Sequence, residues 1–276
     1  MKNEVCRSGS RRLFFAAGMV IVLLAVIPLV YFAASHYLAV RRDRQLIESL
    51  LELRAGSVFE GDRVYLAFSD GGDDDRLRKV CELVGNRLVG LGASNGQVTD
   101  HGLGYLNGLV RLEELDLRRT SISNAGLPSL THLDKLEELK LADTNVSDAG
   151  LPELEQLHSL RGLFLERTKV RGPGLAQLAT LPHLERLFLD GCAIDDQGLQ
   201  AVLKLKHLRV LWLSDTKITR KALRALRELK ELKNLSICGI GATKEDIQQL
   251  RRDLPQLEYV GVESEEGDRA RSDLNH

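Results

Sequence analysis

Hydrophobic and polar positions repeat with a period of 24 residues over residues 88–262. Within each unit two leucines stand two positions apart, as at Leu115 and Leu117, and this spacing places both side chains on one face of a short strand. Leucines three positions apart follow, as at Leu127 and Leu130, and this second spacing suits a helical turn packed onto the strands. Each unit is therefore predicted to form one strand and one short helix around a shared leucine core.

Small and polar residues occupy fixed positions between the predicted strand and the predicted helix. A glycine precedes each helix, where we expect it to make the turn, and a polar pair before it is expected to supply oxygen atoms for the helix start. The glycines are Gly126, Gly150, Gly174 and Gly198, and the polar pairs are Ser123-Asn124, Ser147-Asp148 and Asp195-Asp196.

One corner position carries a threonine or a cysteine in five consecutive units. A hydroxyl there can bond backbone groups from one unit to the next, so we assign these residues to architecture and not to chemistry. Cys192 is expected to be a small buried thiol without reactivity. The five residues are Thr120, Thr144, Thr168, Cys192 and Thr216.

The repeating unit resembles the leucine-rich repeat, L-x-x-L-x-L-x-x-T/C-x-I/V followed by a helical half, over residues 88–262. In particular it resembles the T-x-V-T/S-D-x-G-L-x-x-L variety abundant in planctomycete bacteria, and it is also similar to the cysteine-containing repeats of eukaryotic F-box proteins. The resemblance implies an α/β fold, a right-handed solenoid with a parallel concave sheet and short convex helices. It also implies protein binding as the usual activity, and not catalysis.

A membrane anchor is predicted near the start of the chain. Residues 13–34 contain 22 residues without a charge, enough to span a bilayer core of roughly 30 Å as a helix. A cleaved signal peptide is the alternative, but its apolar core is ordinarily about 7–15 residues long. We expect residues 1–12 to be a short basic tail and residues 13–40 to be the transmembrane helix with its interface.

The basic residues that flank this anchor are nearly balanced, since four precede the segment and three follow it. A short basic start before one long soluble domain favours a single-pass protein whose soluble domain lies on the non-cytoplasmic side of a bacterial plasma membrane. The lipid bilayer is then one partner, through residues 13–34.

Residues 41–87 do not fit the repeat and are predicted to form a small α+β cap, which a solenoid needs at an otherwise exposed apolar end. We expect a helix over residues 41–54, one or two strands over 57–69, and a helix over 76–84 with Cys81 facing inward. The acidic run at residues 73–75 lacks the spacing of a calcium-binding EF-hand loop, so we expect it to cap the second helix. The polar residues 263–276 are predicted to be a disordered tail.

The outward positions of the predicted strands are where we expect a partner to bind. Phe164, Phe188 and Trp212 share the central outward position of three consecutive units and would form a contiguous exposed strip, because parallel strands lie about 4.8 Å apart. Tyr259 also falls on an outward position. The alternative is that the stacked rings stabilise the sheet by cross-strand contact. The charged residues expected to rim the strip are Glu166, Arg167, Arg186, Asp190 and Asp215.

Composition narrows the functional classes. Lysine and arginine number 38 against 39 acidic residues, which disfavours a nucleic-acid partner. Leucine accounts for 53 of 276 residues and reflects the repeating frame. Five of the 13 aromatic residues belong to the membrane segment or its edge, and four of the other eight are the outward residues named above. We find no phosphate-binding, nucleophile-elbow or zinc-protease motif, and we predict neither cofactor, nor metal, nor enzymatic activity.

The sequence therefore predicts a membrane-anchored scaffold that binds a protein of unknown identity on its concave face. Three alternatives remain open at this point: a hydrolase or metal-dependent activity in residues 41–87, an F-box-like substrate receptor, and an inert structural spacer of the cell envelope.

Overall fold

A computed structural model of the chain describes residues 43–262. The backbone divides into two compact units, residues 1–49 and 50–276. The first unit is described through its helical residues 43–49, where Arg44 pairs with Glu48 at 3.3 Å. Helical residues 50–52 belong to the second unit, and we label the helical residues 43–52 α1.

The cap continues with an antiparallel hairpin and a helix. Strand β1 (Ala55–Glu60) pairs with β2 (Arg63–Phe68), and α2 (Asp74–Val84) follows. The carboxylate of Asp73 accepts a hydrogen bond from the backbone N–H of Arg76 at 2.9 Å, so the acidic run does cap the second helix. Burial raises the pKa of the partly buried Cys81 thiol to about 12.

The cap hairpin and the repeats form one sheet, whose ten strands follow the order of the chain. From β2 onward every neighbouring pair is parallel, and equivalent leucines face each other, as Leu115 faces Leu139. The repeating strands are β3 (Leu88–Gly92), β4 (Glu114–Asp116), β5 (Glu138–Lys140), β6 (Gly162–Phe164), β7 (Arg186–Phe188), β8 (Val210–Trp212), β9 (Asn234–Ser236) and β10 (Tyr259–Gly261).

Short helices return the chain to the next strand. Three are α-helices: α3 (Asp100–Leu103), α4 (Asp196–Val202) and α5 (Lys244–Asp253). The others are 3₁₀ helices, and in all of them except Gly85–Arg87 the leucine spacing of three favours this type. They span Gly85–Arg87, Gly104–Leu106, Leu127–Leu130, Leu151–Gln156, Pro173–Thr180 and Arg220–Glu228.

The leucine core lies between the sheet and these helices. The two strand leucines of the central units, such as Leu139 and Leu141, have no exposed surface. The helix leucines Leu151 and Leu154 are fully buried as well. The prediction of a leucine frame with fixed inward positions is therefore confirmed.

The glycine before each helix has a different role from the one predicted. Gly126 has a φ of −81° and Gly150 a φ of −90°, which any residue can adopt. A side chain on Gly150 would instead collide with the Asn124 amide at 2.6 Å, and one on Gly198 would overlap the carbonyl oxygen of Arg171. Glycine is required here because the preceding unit packs closely against it, with side chains at Gly150 and with backbone at Gly198, and not to make a turn.

The corner threonines bond within their own unit, which corrects the expected ladder between units. Thr144 Oγ1 donates to the carbonyl of Leu141 at 2.6 Å, and the other three threonines do the same three residues back. Cys192 is the exception, because its thiol donates to Leu165 of the preceding unit at 3.0 Å. Burial raises the pKa of the Cys192 thiol, in line with an architectural role.

The links between units come from the second residue of the predicted polar pairs. The Asn124 side chain accepts from the Ser147 backbone N–H at 2.9 Å and donates to its hydroxyl at 2.8 Å. Asp196 holds the N–H and hydroxyl of Thr219 in the same way, and so does Asp100, at the equivalent position of an earlier unit, with Ser123. Each unit therefore fixes the helix start of the next one.

No helix within residues 43–262 is long and apolar enough to cross a bilayer. The predicted anchor at 13–40, the tail at 1–12 and the tail at 263–276 lie outside the described residues.

Candidate functional site

The central outward residues of β6, β7 and β8 stack in register, on the sheet face opposite the leucine core, which we call the outer face. Phe164 lies opposite Phe188, and Phe188 opposite Trp212. The two phenylalanine rings are nearly parallel, with centroids 4.2 Å apart and an interplanar angle of 9°. The Trp212 ring meets Phe188 edge-on, with centroids 4.8 Å apart.

The expectation that these rings form an exposed strip is wrong. Phe164 is 4 % exposed, Phe188 is 1 % exposed and Trp212 is 4 % exposed. Together with Val210 they form a small hydrophobic cluster of their own on the outer face. Large side chains on strands so closely spaced cover one another, and this burial favours the alternative in which the rings stabilise the sheet.

Charged residues beside the stack are paired with one another. Lys140 Nζ lies 2.6 Å from Glu114 and 5.6 Å from the centre of the Phe164 ring. The predicted rim residue Arg186 reaches back two units to Glu138 at 2.6 Å, passing Gly162, which has no side chain to obstruct it. Arg186 is thereby engaged in holding the sheet.

Tyr259 does not extend the aromatic stack. It lies opposite Asn234 in β9, one outward position away from the line of Phe164, Phe188 and Trp212. Its hydroxyl lies beside Gly261, close to Ser236, where a side chain on Gly261 would collide with it.

A column of left-handed backbone turns follows the strands, one per unit. The φ angle is 62° at Asn95, 55° at Arg119, 57° at Asp143, 53° at Arg167 and 56° at Asp215. Glycine occupies this position in two further units, at Gly191 and Gly239, and also has a positive φ angle there. L-residues other than asparagine and aspartate rarely adopt this conformation, so the two arginines are held there by their surroundings.

These turns border a groove of about 780 Å³ that runs across the units from β3 to β8. Five of the nine residues predicted for binding line it, whereas Phe164, Phe188, Arg186 and Tyr259 do not. The twelve lining residues are Ser94, Asn95, Arg118, Arg119, Ala142, Asp143, Glu166, Arg167, Asp190, Gly191, Trp212 and Asp215.

The arginines of the groove pair with aspartates at its β3–β5 end. Arg167 holds Asp143 with two contacts of 2.6 Å each, and Arg119 reaches the same carboxylate at 3.4 Å. The two guanidinium groups lower the pKa of Asp143, with Arg167 the larger influence. Arg118 pairs with Asp116 at 2.7 Å.

Glu166 is a carboxyl group of the groove whose pKa is raised. Burial raises its pKa from 4.5 to about 7, and the charge of Asp190 on the next unit adds to the rise. Its Oε2 atom is buried without a hydrogen-bond partner. The group therefore titrates near neutral pH.

Sequence reasoning missed the first half of the groove. The pattern of aromatic residues does not indicate Asn95, Arg118, Arg119 or Asp143. A signal was present, since the position after each strand holds Asn, Arg, Asp, Arg, Gly, Asp and Gly in successive units. Glycine alternating with aspartate and asparagine is typical of a positive φ angle.

No group of three or more His, Cys, Asp or Glu residues within 43–262 converges on a point where it could hold a metal ion.

Comparison with known proteins agrees with this architecture. The family model described as "Leucine Rich repeat" matches residues 180–203. Internalin C2 from Listeria monocytogenes superposes with a TM-score of 0.57 at 22% identity, over 72% of this chain and 80% of that one. The described part of the chain has the leucine-rich-repeat fold. At 22% identity the similarity to internalin C2 shows that the two proteins share a fold and no more.

Two further solved structures are more distant. An internalin, InlF, from the same bacterium gives a TM-score of 0.41 at 21% identity, over 69% of each chain. The receptor kinase HAESA ectodomain of Arabidopsis, solved with a peptide hormone ligand, gives 0.46 at 17% identity, over 69% of this chain and 36% of that one. No curated protein matches the sequence.

Proposed function

We propose that this leucine-rich-repeat protein is a membrane-anchored, non-enzymatic scaffold that binds a partner protein in the groove beside its sheet. The observation that carries the proposal is the groove itself, about 780 Å³ bordered by three arginines and four carboxylates on a rigid repeating frame. A preformed frame loses little conformational entropy when a partner binds. The proposed binding site is therefore the groove along the turns that follow the strands, and not the stacked rings of Phe164 and Phe188.

Membrane anchoring is supported by the uncharged residues 13–34 and is part of the proposal. We infer an uncleaved single-pass helix with the repeats on the non-cytoplasmic side of a bacterial plasma membrane. Full-length protein should resist alkaline extraction from membranes and be digested by protease added to intact cells. Release by alkali would contradict the anchor, and protection from protease would reverse the orientation.

The non-enzymatic part of the proposal rests on the lack of a recognisable catalytic motif in the sequence, and one observation in the cap agrees with it. The Cys81 thiol in the cap has a pKa of about 12 and stays protonated at neutral pH, which disfavours thiolate chemistry there. The substrate-receptor alternative keeps only the resemblance of its repeats to those of F-box proteins as support.

An inert spacer is the second candidate, and one observation favours it. The aromatic stack and the ion pairs of Glu114, Lys140, Glu138 and Arg186 satisfy much of the outer face internally. The part of the outer face that these contacts cover is stable without a binding partner.

Site-specific photo-crosslinking in the native membrane distinguishes the two. A photoreactive residue replaces Arg118, which is exposed in the groove, or Lys221, which is exposed on the helical side. A binding groove gives a discrete protein adduct from position 118 and not from position 221. An inert spacer gives no adduct at position 118, or the same background at both positions.

A further inference from the structure

The charges of the groove are segregated along its length. All three lining arginines belong to the units of β4 and β6, at Arg118, Arg119 and Arg167. Among the described lining residues that follow Arg167, none is basic, and the acidic residues Asp190 and Asp215 lie there. The groove therefore has a basic end and an acidic end.

At the basic end, cationic groups exceed their local partners. Asp143 is bound by both oxygens to Arg167, with contacts of 2.6 Å each. Arg119 shares that carboxylate only at 3.4 Å, and its second contact is the neutral amide oxygen of Asn95 at 3.3 Å. Arg119 is 65 % exposed at its side chain, so its guanidinium can accept a stronger anionic partner.

The acidic end begins in the β6 unit, where Glu166 stands next to Arg167, and continues with Asp190 and Asp215 in the next two units. Glu166 and Asp190 are partly buried, and Asp190 accepts a hydrogen bond from the Ser214 backbone N–H at 2.7 Å. Asp215 is exposed at the rim. A cation placed among them would stabilise the ionised form of Glu166, whose burial and neighbouring Asp190 otherwise oppose it.

We propose that the groove binds an extended segment of a partner protein that presents an acidic side chain to Arg119 and a lysine or arginine to Asp215 and its acidic neighbours. This inference rests on the proposed function and names the class of segment that the same groove takes. The occupant follows from charge complementarity, which selects partners and fixes their register more than it adds affinity.

The distance between the two ends sets the spacing in the segment. Arg119 and Asp215 are four units apart, and strands about 4.8 Å apart give roughly 19 Å between them. An extended chain advances about 3.3 Å per residue, so the acidic and basic residues should be separated by about six positions.

The repeat supplies substitutions that its own backbone already accepts. Arginine occupies the left-handed turn at positions 119 and 167, and aspartate occupies it at 143 and 215, with φ angles of 53–57° in all four units. Asp215→Arg and Arg119→Asp therefore exchange residue types that fit this turn. Glu153→Arg, at an exposed site of the 3₁₀ helix Leu151–Gln156, is the matched charge control.

The experiment selects random dodecapeptides displayed on phage against the full-length protein in detergent. Four baits are compared: wild type, Asp215→Arg, the double variant Arg119→Asp with Asp215→Arg, and Glu153→Arg. Wild type and Glu153→Arg should enrich peptides with an acidic and a basic residue about six positions apart. The Asp215→Arg variant should weaken binding of those peptides at least tenfold, and the double variant should enrich the opposite charge order.

The outcomes separate the two proposals. The enriched peptides could bind wild type and not the double variant, yet show no regular spacing between acidic and basic residues. That result would overturn this inference, but it would still support binding in the groove. Peptides that bind all four baits equally, or no enrichment at all, would count against binding in the groove as well as against its charge pattern. Circular dichroism of each variant checks that the repeats remain folded.

Discussion

The rings of Phe164 and Phe188 lie parallel with centroids 4.2 Å apart, and both are buried on the face of the sheet that lies away from the leucine core. The sheet is therefore covered by apolar contacts on both faces at β6–β8. This relationship makes the aromatic residues structural and predicts what their removal costs.

Phe188→Ala should destabilise the fold by about 3–5 kcal/mol, because it leaves a cavity between Phe164 and Trp212. Urea unfolding followed by circular dichroism measures the free energy of unfolding. Val58→Ala, at a side chain that is 60 % exposed, is the control and should change stability by well under 1 kcal/mol. A loss for Phe188→Ala as small as that of the control would mean that the ring is not packed as described.

Gly198→Ala should destabilise the fold by more than about 2 kcal/mol, although alanine favours helices and Gly198 lies in α4. The added methyl group would overlap the Arg171 carbonyl of the preceding unit. Gly104→Ala is the matched control, because nothing lies within 4 Å of its added methyl group and its φ is −60°. Thermal unfolding of both variants decides the matter, and equal melting temperatures would show that the units do not pack this closely.

Thr144→Val should cost about 1–2 kcal/mol, because it removes the hydroxyl that donates to the Leu141 carbonyl at 2.6 Å. Thr144→Ser keeps the donor and should recover most of this loss. Chemical unfolding distinguishes the two variants. If serine were no better than valine, the methyl packing of Thr144 and not its hydrogen bond would be the stabilising feature.

Glu166 gives a pH dependence of stability with a definite sign. Its pKa is about 7 in the folded protein against an ordinary value of 4.5, so the folded state binds the proton more tightly. Stability from this group is full below about pH 4.5 and is lost as the pH rises toward 7, by about 2 kcal/mol after allowance for solvent screening.

Glu166→Gln should remove that pH-dependent loss, since glutamine carries no charge to desolvate. The difference in unfolding free energy between the variant and wild type should therefore grow in the variant's favour from pH 4.5 to pH 7.5. Glu153→Gln, at an exposed position, is the control and should show no such trend. A constant difference across this range would contradict the buried environment of Glu166.

The groove depends on residues that the aromatic pattern did not indicate. Arg119 and Asp143 stand at positions where a strand ends, and their importance comes from a φ angle and from a partner 24 residues away in the sequence. Neither property belongs to a single residue. Arg186 is the opposite case. Its outward position in the sequence pattern indicates a side chain available to a partner, but in the structure it pairs with Glu138 two units earlier.

The sequence by itself determined the frame. Leu115 and Leu139 face one another because a period of 24 residues brings equivalent positions to the same register, and a spacing of two fixes which face each leucine takes. For the same reason it placed Phe164, Phe188 and Trp212 in one line. Only the tertiary structure decided that these rings are buried, that Gly198 packs on the preceding backbone, and that the polar turns border a groove. Periodicity specifies which face of the sheet each side chain takes. Its exposure depends on how much of it is covered by side chains on the adjacent strands, and this is a property of the tertiary structure.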